Sequence, residues 1–131
     1  MKIPLLERGI YYRGLLVLIR QDRVISNRER ELMIRIGQKL DFDKRFCECA
    51  INDLLKNPHI KGKVIKFSDK KIAESFLRDA VTLAIVDGEI HPKEQSWLKA
   101  VASANGLRNE WLDAEIRGNQ NNQPNSIAAG H

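Results

Sequence analysis

An internal repeat at a shift of 65 residues constrains the fold of this chain more than any other feature of its sequence. Under this shift, apolar residues of the first half coincide with apolar residues of the second: Leu18 with Leu83, Leu32 with Trp97, Met33 with Leu98, Ile36 with Val101, Phe42 with Leu107, Phe46 with Trp111 and Ile51 with Ile116. Because neither unit can bury its own apolar face alone, the repeat predicts two copies, about residues 10–56 and 69–117, that pack together with pseudo-twofold symmetry.

The spacing of the apolar residues predicts that both copies are helical, since these residues recur every three or four positions. Capping residues and helix breakers divide the chain into six predicted helices: about Leu5 to Gln21, Ser26 through Leu40, Asp43 to Asn57, Ser68 to Val86, Pro92 to Asn105, and a short helix from Asn109 through Ile116. We therefore expect an all-α, compact bundle of about six helices that forms one domain over residues 1–117. Residues 118–131 are rich in Asn and Gln, which predicts a disordered polar tail.

The apolar faces of these helices supply the predicted core. In the first helix the core residues include Leu6 and Ile10, and in the third helix they include Phe46. Trp97 and Trp111 also fall on apolar faces, so core packing is favoured over a role in stacking on a ligand.

The whole chain has a net charge of +5, and its positive charge is concentrated in the first half. Residues 1–65 carry 14 Lys and Arg against 8 Asp and Glu, whereas residues 66–131 carry 8 against 9. This asymmetry permits binding of nucleic acid or another anionic partner by the first half. Acidic residues interleave with the basic ones, and Glu31 precedes Arg35 by one helical turn, so solvated and salt-bridged helix faces explain the same pattern.

The sequence predicts a cytoplasmic protein. The longest uninterrupted apolar run, Leu15 to Ile19, is far shorter than the ~20 residues of a membrane helix, so we expect no membrane insertion. The N-terminal residues lack the apolar segment of a secretory signal. Cys47 and Cys49 have no further Cys pair or nearby His to complete a zinc site, and two free thiols suit a reducing compartment.

The loop between the first two helices of each copy is the most distinctive motif. In the second copy it reads Asp87-Gly88-Glu89-Ile90-His91-Pro92-Lys93-Glu94, and in the first copy it reads Asp22-Arg23-Val24-Ile25-Ser26-Asn27-Arg28-Glu29. An apolar helix, then Asp-Gly-acid-Ile, then Glu near the start of the next helix resembles the TerB-like family, which is named for a tellurite-resistance protein and shows the same doubled pattern. The resemblance covers roughly residues 10–117 and implies an all-helical binding or sensing module associated with the stress response.

The resemblance also implies a metal site made by the acidic loop residues. Carried over by position, the candidate ligands are Asp22, Glu29, Asp87, Glu89 and Glu94. A hard divalent cation such as Ca²⁺ or Mg²⁺ needs several oxygen ligands, and two symmetric loops can bring carboxylates together. In the first copy Arg23 and Val24 replace Gly88 and Glu89, so we expect a weak or one-sided site.

The same acids also have a purely structural interpretation, which the sequence leaves open. Glu29 and Glu94 lie at the third position of a helix, where a carboxylate caps the helix N-terminus. Asp22 and Asp87 suit the turns that precede these helices. Capping and turn formation are therefore an alternative interpretation of these acidic loop residues.

No catalytic constellation occurs in the sequence, and we predict that the protein is not an enzyme. There is no glycine-rich phosphate loop, no EF-hand spacing, and no nucleophile with a base and an orienting group. The three histidines are scattered, and His91 is expected at the surface or as a helix N-cap. We expect no required cofactor, and the sequence specifies neither the small ligand nor the partner protein.

Overall fold

The computed structural model describes residues 2–20, 25–56, 63–86 and 88–121. Within these ranges the chain forms six helices and no strand: α1 (Leu5–Arg20), α2 (Asn27–Lys39), α3 (Lys44–Lys56), α4 (Lys70–Ile85), α5 (Pro92–Ala104) and α6 (Asn109–Asn121). The prediction of an all-α, compact six-helix bundle is confirmed. No helix in the described part of the chain is long and apolar enough to cross a lipid bilayer.

The bounds of the helices repeat along the chain. α4, α5 and α6 begin and end 65 residues after α1, α2 and α3 respectively. The turn after the second helix of each half also repeats: Phe42 N donates to Gly37 O at 2.9 Å, and Leu107 N donates to Ala102 O at 2.8 Å. The period seen in the apolar residues is therefore present in the backbone as well.

Side-chain caps fix where the helices begin, and one of them differs from the prediction. The N-cap of α4 is Asp69, whose carboxylate accepts a hydrogen bond from Lys71 N at 2.8 Å. Ser68 was expected at this position, but its backbone N and its Oγ both donate to the carboxylate of Glu7, at 2.8 and 2.6 Å. The hydroxyl of Ser68 is thus used to hold the start of α4 beside the first turn of α1.

The core lies between the two halves, and α1 faces it differently from the prediction. Tyr11 and Tyr12 are almost fully buried, whereas Leu6 is 78% and Ile10 is 37% exposed. Leu6 and Ile10 lie roughly 100–140° around the helix from Tyr11, because each residue advances the helix by about 100°. The ring of Tyr11 packs edge-on against Phe76 of α4, with 5.3 Å between centroids.

Two further sequence predictions about burial come out differently. Phe46 was expected in the core but is 49% exposed, while its neighbour Cys47 is buried and takes the core position of α3. Trp97 and Trp111 pack against the core but are only partly buried. Phe46 rests on Phe42 with 4.8 Å between ring centroids, so its ring packs on the surface of the bundle.

The last helix is longer than predicted. α6 continues to Asn121, so residues 118–121 are helical although they were assigned to the polar tail. Asn119 stabilises this end: its amide group donates to Glu115 O at 3.0 Å, and its carbonyl accepts from Thr82 Oγ1 at 3.0 Å. Residues 122–131 lie outside the described ranges.

Candidate functional site

The predicted metal-binding loops are described only in part. Asp22 and Asp87 lie outside the described residues, whereas Glu29, Glu89 and Glu94 are described. Among the described residues, no group of three or more His, Cys, Asp or Glu side chains is arranged to hold a metal ion. Because two of the five candidate ligands lie outside the described residues, the complete set stays a prediction.

Glu94 is a buried capping residue. Its side chain is 2% exposed, and its Oε1 accepts a hydrogen bond from His91 N at 2.9 Å. His91 is the N-cap of α5, as expected, and its Nδ1 accepts from Lys93 N at 3.1 Å. Pro92 occupies the first turn of the helix, where a missing N–H costs nothing.

Glu29 has the same role in the first half. It is 7% exposed, and its Oε1 accepts from Ser26 N at 3.0 Å while Ser26 Oγ accepts from Glu29 N at 3.1 Å. These reciprocal bonds form a capping box, which typically stabilises a helix by ~0.5–2 kcal/mol. The capping interpretation of both glutamates is therefore confirmed.

Glu89 differs from the other two glutamates because it is exposed and lines a cleft. The cleft has a volume of about 330 Å³, and we call it the second-half cleft; it is lined by Glu89, Ile90, Gln95, Asp113, Ile116 and Arg117. Two acidic residues, one glutamine and one arginine thus line the same space. The acidic loop, α5 and α6 together form its walls.

Sequence reasoning missed the contribution of α6 to this cleft. Asp113 and Arg117 are one helical turn apart, so both side chains reach the same side of α6. The shift of 65 residues places Asp113 on Glu48, a further pair of acids that the comparison of the loops alone did not include. Extending the repeat comparison from the loops to the third helix of each copy could have identified Asp113.

The corresponding place in the first half carries different chemistry. Arg30, Glu48 and Asn52 are the equivalents of Gln95, Asp113 and Arg117 under the same shift. The guanidinium of Arg30 donates to Asn52 Oδ1 at 3.4 Å, which links α2 directly to α3. A cation therefore stands where the second half has the neutral Gln95.

A second polar cluster, which the sequence did not predict, joins α1 to α4. The hydroxyl of Tyr11 donates to Asp79 Oδ2 at 2.5 Å and lies 2.9 Å from Ser75 Oγ. Burial raises the pKa of Asp79 above its ordinary value, and the hydrogen bond from Tyr11 and the charge of Lys39 offset part of that shift. Burial also raises the pKa of Tyr11, so the phenol stays protonated and acts as the donor. Tyr11 is 1% exposed, so this cluster is a packing element.

Several basic residues of α2 and α3 are on the surface. Arg28, Arg35, Lys44 and Arg45 are exposed. The ion pairs among the described residues are Arg8–Asp41 at 3.4 Å and Arg78–Glu115 at 3.1 Å, so the predicted pair between Glu31 and Arg35 does not form. Long exposed side chains lose conformational entropy when they pair, which makes such surface ion pairs only marginally favourable.

Comparisons of the chain with protein-family models, with curated proteins and with solved structures found no match. Membership of the TerB-like family therefore stays a prediction from the two loop motifs and the spacing between them.

Proposed function

We propose that this chain is a non-enzymatic, TerB-like helical binding module that holds a divalent cation weakly in its second-half cleft. The observation that carries the proposal is that Asp113 of α6 lines the same cleft as Glu89 of the acidic loop. The loop motif alone supplies ligands from one segment, whereas the cleft adds a carboxylate from a separate helix. Two oxygen-bearing walls are what a cation site requires.

The proposed architecture is two three-helix units, α1–α3 and α4–α6, related by a pseudo-twofold axis. Two observations support this arrangement. Tyr11 packs on Phe76, its own equivalent under the shift, and residues that contact their equivalents lie near a twofold axis. Tyr11 also hydrogen-bonds to Asp79, and the equivalent contact in the repeat is that of Phe76 with Gly14. Phe76 does lie close to Gly14, because a Cβ added at Gly14 would meet the Phe76 ring at 2.9 Å.

The dimensions and charges of the cleft suit Ca²⁺ or Mg²⁺ with part of its water shell. A volume of about 330 Å³ is room for roughly ten water molecules at ~30 Å³ each. Mg²⁺ in particular keeps several waters and binds through one or two carboxylates. Arg117 opposes the cation, so we expect a weak site with a dissociation constant of about 10⁻⁴–10⁻³ M.

The site is proposed for the second half only. In the first half the cation Arg30 is the equivalent of Gln95, and the repeat aligns Arg23 with Gly88 and Val24 with Glu89 in the sequence. Within this proposal, Asp87 adds a third carboxylate from the loop, while Glu29 and Glu94 hold the loops in place as caps. The module would act in the cytoplasm, which suits the free thiols of Cys47 and Cys49, and its link with the stress response and tellurite resistance rests on the family resemblance.

The test is a titration of the full chain with Ca²⁺ and then Mg²⁺, followed by amide NMR shifts. We expect saturable shifts at Gly88 and His91 and in the α6 turn that contains Asp113, with none at Ser26. Glu89→Gln combined with Asp113→Asn should weaken binding at least about tenfold, which corresponds to 1.4 kcal/mol. Glu48→Gln is the matched control, because it removes the equivalent carboxylate of the first half. No saturable shift at millimolar concentrations of either ion, or equal weakening by the control, would overturn the proposal.

A second candidate function is binding of nucleic acid by the first half. The observation that favours it is the absence, within the described ranges, of ion pairs at the exposed Arg28, Arg35, Lys44 and Arg45. Unpaired cations are free to neutralise phosphates, and such binding weakens steeply as salt rises. The test is duplex DNA binding at ~50 mM salt by the native chain, by Arg35→Glu with Lys44→Glu, and by Lys99→Glu on α5 as control. No binding by the native chain at this salt would eliminate the candidate.

A further inference from the structure

An apolar groove differs in chemistry from the acidic cleft, because most of its lining is hydrocarbon and its charged residues are positive. We call it the α1 groove; it has a volume of about 170 Å³ and is lined by Ile10, Arg13, Gly14 and Val17 of α1, Lys63 and Ile65 of the segment before α4, and Trp97 of α5. None of the residues predicted for metal binding lines it.

Contacts at Gly14 and Asn105 hold the walls of the α1 groove in place. A Cβ added at Gly14 would stand 2.5 Å from Ile65 Cδ1, so the absence of a side chain at Gly14 lets the Ile65 side chain pack directly on α1. Asn105, at the end of α5, ties the same segment down: its Nδ2 donates to Ile65 O at 2.7 Å, and its Oδ1 accepts from Phe67 N at 2.8 Å. A groove fixed in this way costs little reorganisation when a partner binds.

Exposed apolar side chains extend the α1 groove across the surface. Leu6 and Ile10 are one helical turn apart on α1, and Val64 in the adjoining segment is 51% exposed. These side chains leave hydrocarbon exposed to water near the groove. Exposed apolar surface of this kind marks interaction sites in soluble proteins.

The charges around the groove identify the kind of partner. Arg13 and Lys63 stand at its edge, and the lining that the structure describes contains no carboxylate. Neither cation is in an ion pair with a described residue. A second copy of this chain would bring like charges together, which disfavours self-association through this face.

The size of the groove favours the side chains of a peptide over a drug-sized molecule as its ligand. Pockets that enclose drug-sized ligands have volumes of ~300–1,000 Å³. At about 170 Å³ the α1 groove has room for one or two apolar side chains. We propose that the α1 groove docks an acidic amphipathic helix of a partner protein, with apolar side chains of the helix in the groove and its carboxylates against Arg13 and Lys63.

The experiment uses a synthetic amphipathic peptide as the probe and the full chain as the receptor. The peptide has Leu at positions i, i+3, i+4 and i+7 and Glu on both flanks, which matches the helix-in-groove mode. Binding is followed by the indole N–H resonance of Trp97, assigned with the Trp111→Phe variant. We expect that resonance to shift saturably, while a scrambled peptide of the same composition leaves it unchanged.

Charge-reversal variants then test the contacts. Arg13→Glu with Lys63→Glu should weaken peptide binding at least about tenfold, whereas Lys44→Glu with Lys99→Glu, which changes net charge equally at exposed sites elsewhere, should change it less than about twofold. Ile10→Glu should also abolish the shift, and circular dichroism establishes that each variant is folded.

Three results would overturn the proposal. The first is equal weakening by both charge-reversed pairs, which would mean that only net charge attracts the peptide. The second is equal binding of a peptide with Lys in place of Glu. The third is a shift of the Trp97 resonance with phosphatidylserine vesicles but not with the peptide, which would assign the groove to an anionic lipid surface.

Discussion

The two loop–helix junctions share a backbone but differ in what lies beside it. In the first half Ser26 and Glu29 form the capping box of α2, and in the second half His91 and Glu94 cap α5 at the equivalent positions. Next to the first cap, Arg30 of α2 is hydrogen-bonded to Asn52 of α3. At the equivalent place beside the second cap, the second-half cleft lies between α5 and α6. Caps and core residues set the frame, so the residues that line the surface can differ without changing it.

Substitution of two equivalent core residues gives the strongest test of whether the two halves are equivalent. Met33 and Leu98 are equivalent under the shift, and both are 0% exposed. Met33→Ala and Leu98→Ala should each lower the free energy of unfolding by about 2–5 kcal/mol, because each leaves a cavity in a close-packed core. Chemical denaturation measures both.

A difference of more than about 3 kcal/mol between the two core variants would contradict the idea of equivalent halves, because the spread at fixed chemistry is ~2 kcal/mol. The half with the smaller loss would then be the one that relaxes around the missing side chain.

Much of this frame could be predicted from the sequence. Six helices, the Ser26 capping box and the N-cap at His91 follow from periodicity and capping residues, which are local signals. The extension of α6 to Asn121 could not be predicted in this way. Its last turn depends on the contact of Asn119 with Thr82 of α4, and a contact between distant segments leaves no local pattern.

The candidate site was harder to predict than the fold. Glu89 was identified from the loop motif, but Asp113, Gln95 and the cleft between them depend on how α5 and α6 pack. The predicted orientation of α1 was wrong for a related reason. Tyr11 and Tyr12 carry polar hydroxyls that argue against burial, yet Tyr11 bonds to Asp79 and Tyr12 donates to Met33 O at 2.9 Å, which makes their burial favourable.

The turn after the second helix of each half allows a comparison at a single backbone position, where we expect a smaller change in stability than in the core. Gly106 has φ 74° and its equivalent Asp41 has φ 67°, so both are left-handed. Gly106→Ala should lower the free energy of unfolding by about 1–2 kcal/mol, since a Cβ is strained there. Gly118→Ala within α6 is the matched control and should raise it by ~0.5–1 kcal/mol, because alanine favours a helix interior. Equal effects of the two substitutions on thermal unfolding would show that the turn does not impose a left-handed residue.

The N-caps should give effects of about 1 kcal/mol or less. Ser26→Ala removes a favoured capping side chain and should lower stability by ~1 kcal/mol. His91→Ser introduces that side chain in the second half and should raise stability by a fraction of this amount, because serine is the better N-cap residue. Thermal unfolding of the two variants measures both. If His91→Ser instead destabilises the protein, the imidazole contributes contacts beyond its bond to Lys93 N, and the two caps are not interchangeable.

The smallest effect is expected where the halves differ at their contact, at Asp79 and its equivalent Gly14, and it concerns the pH dependence of stability. Because burial raises the pKa of Asp79, the folded state keeps a proton that the unfolded chain releases. Stability from this group is therefore fully present below the unfolded pKa, and it is lost as the pH rises through the folded pKa. Asp79→Asn keeps an oxygen that accepts from Tyr11 and removes the titration, so the free energy of unfolding should fall less steeply as the pH rises above about 4. An identical slope in the Asp79→Asn variant would mean that Lys39 and Tyr11 stabilise the carboxylate enough to cancel the cost of its burial, and the contact between the halves would then tolerate a charge.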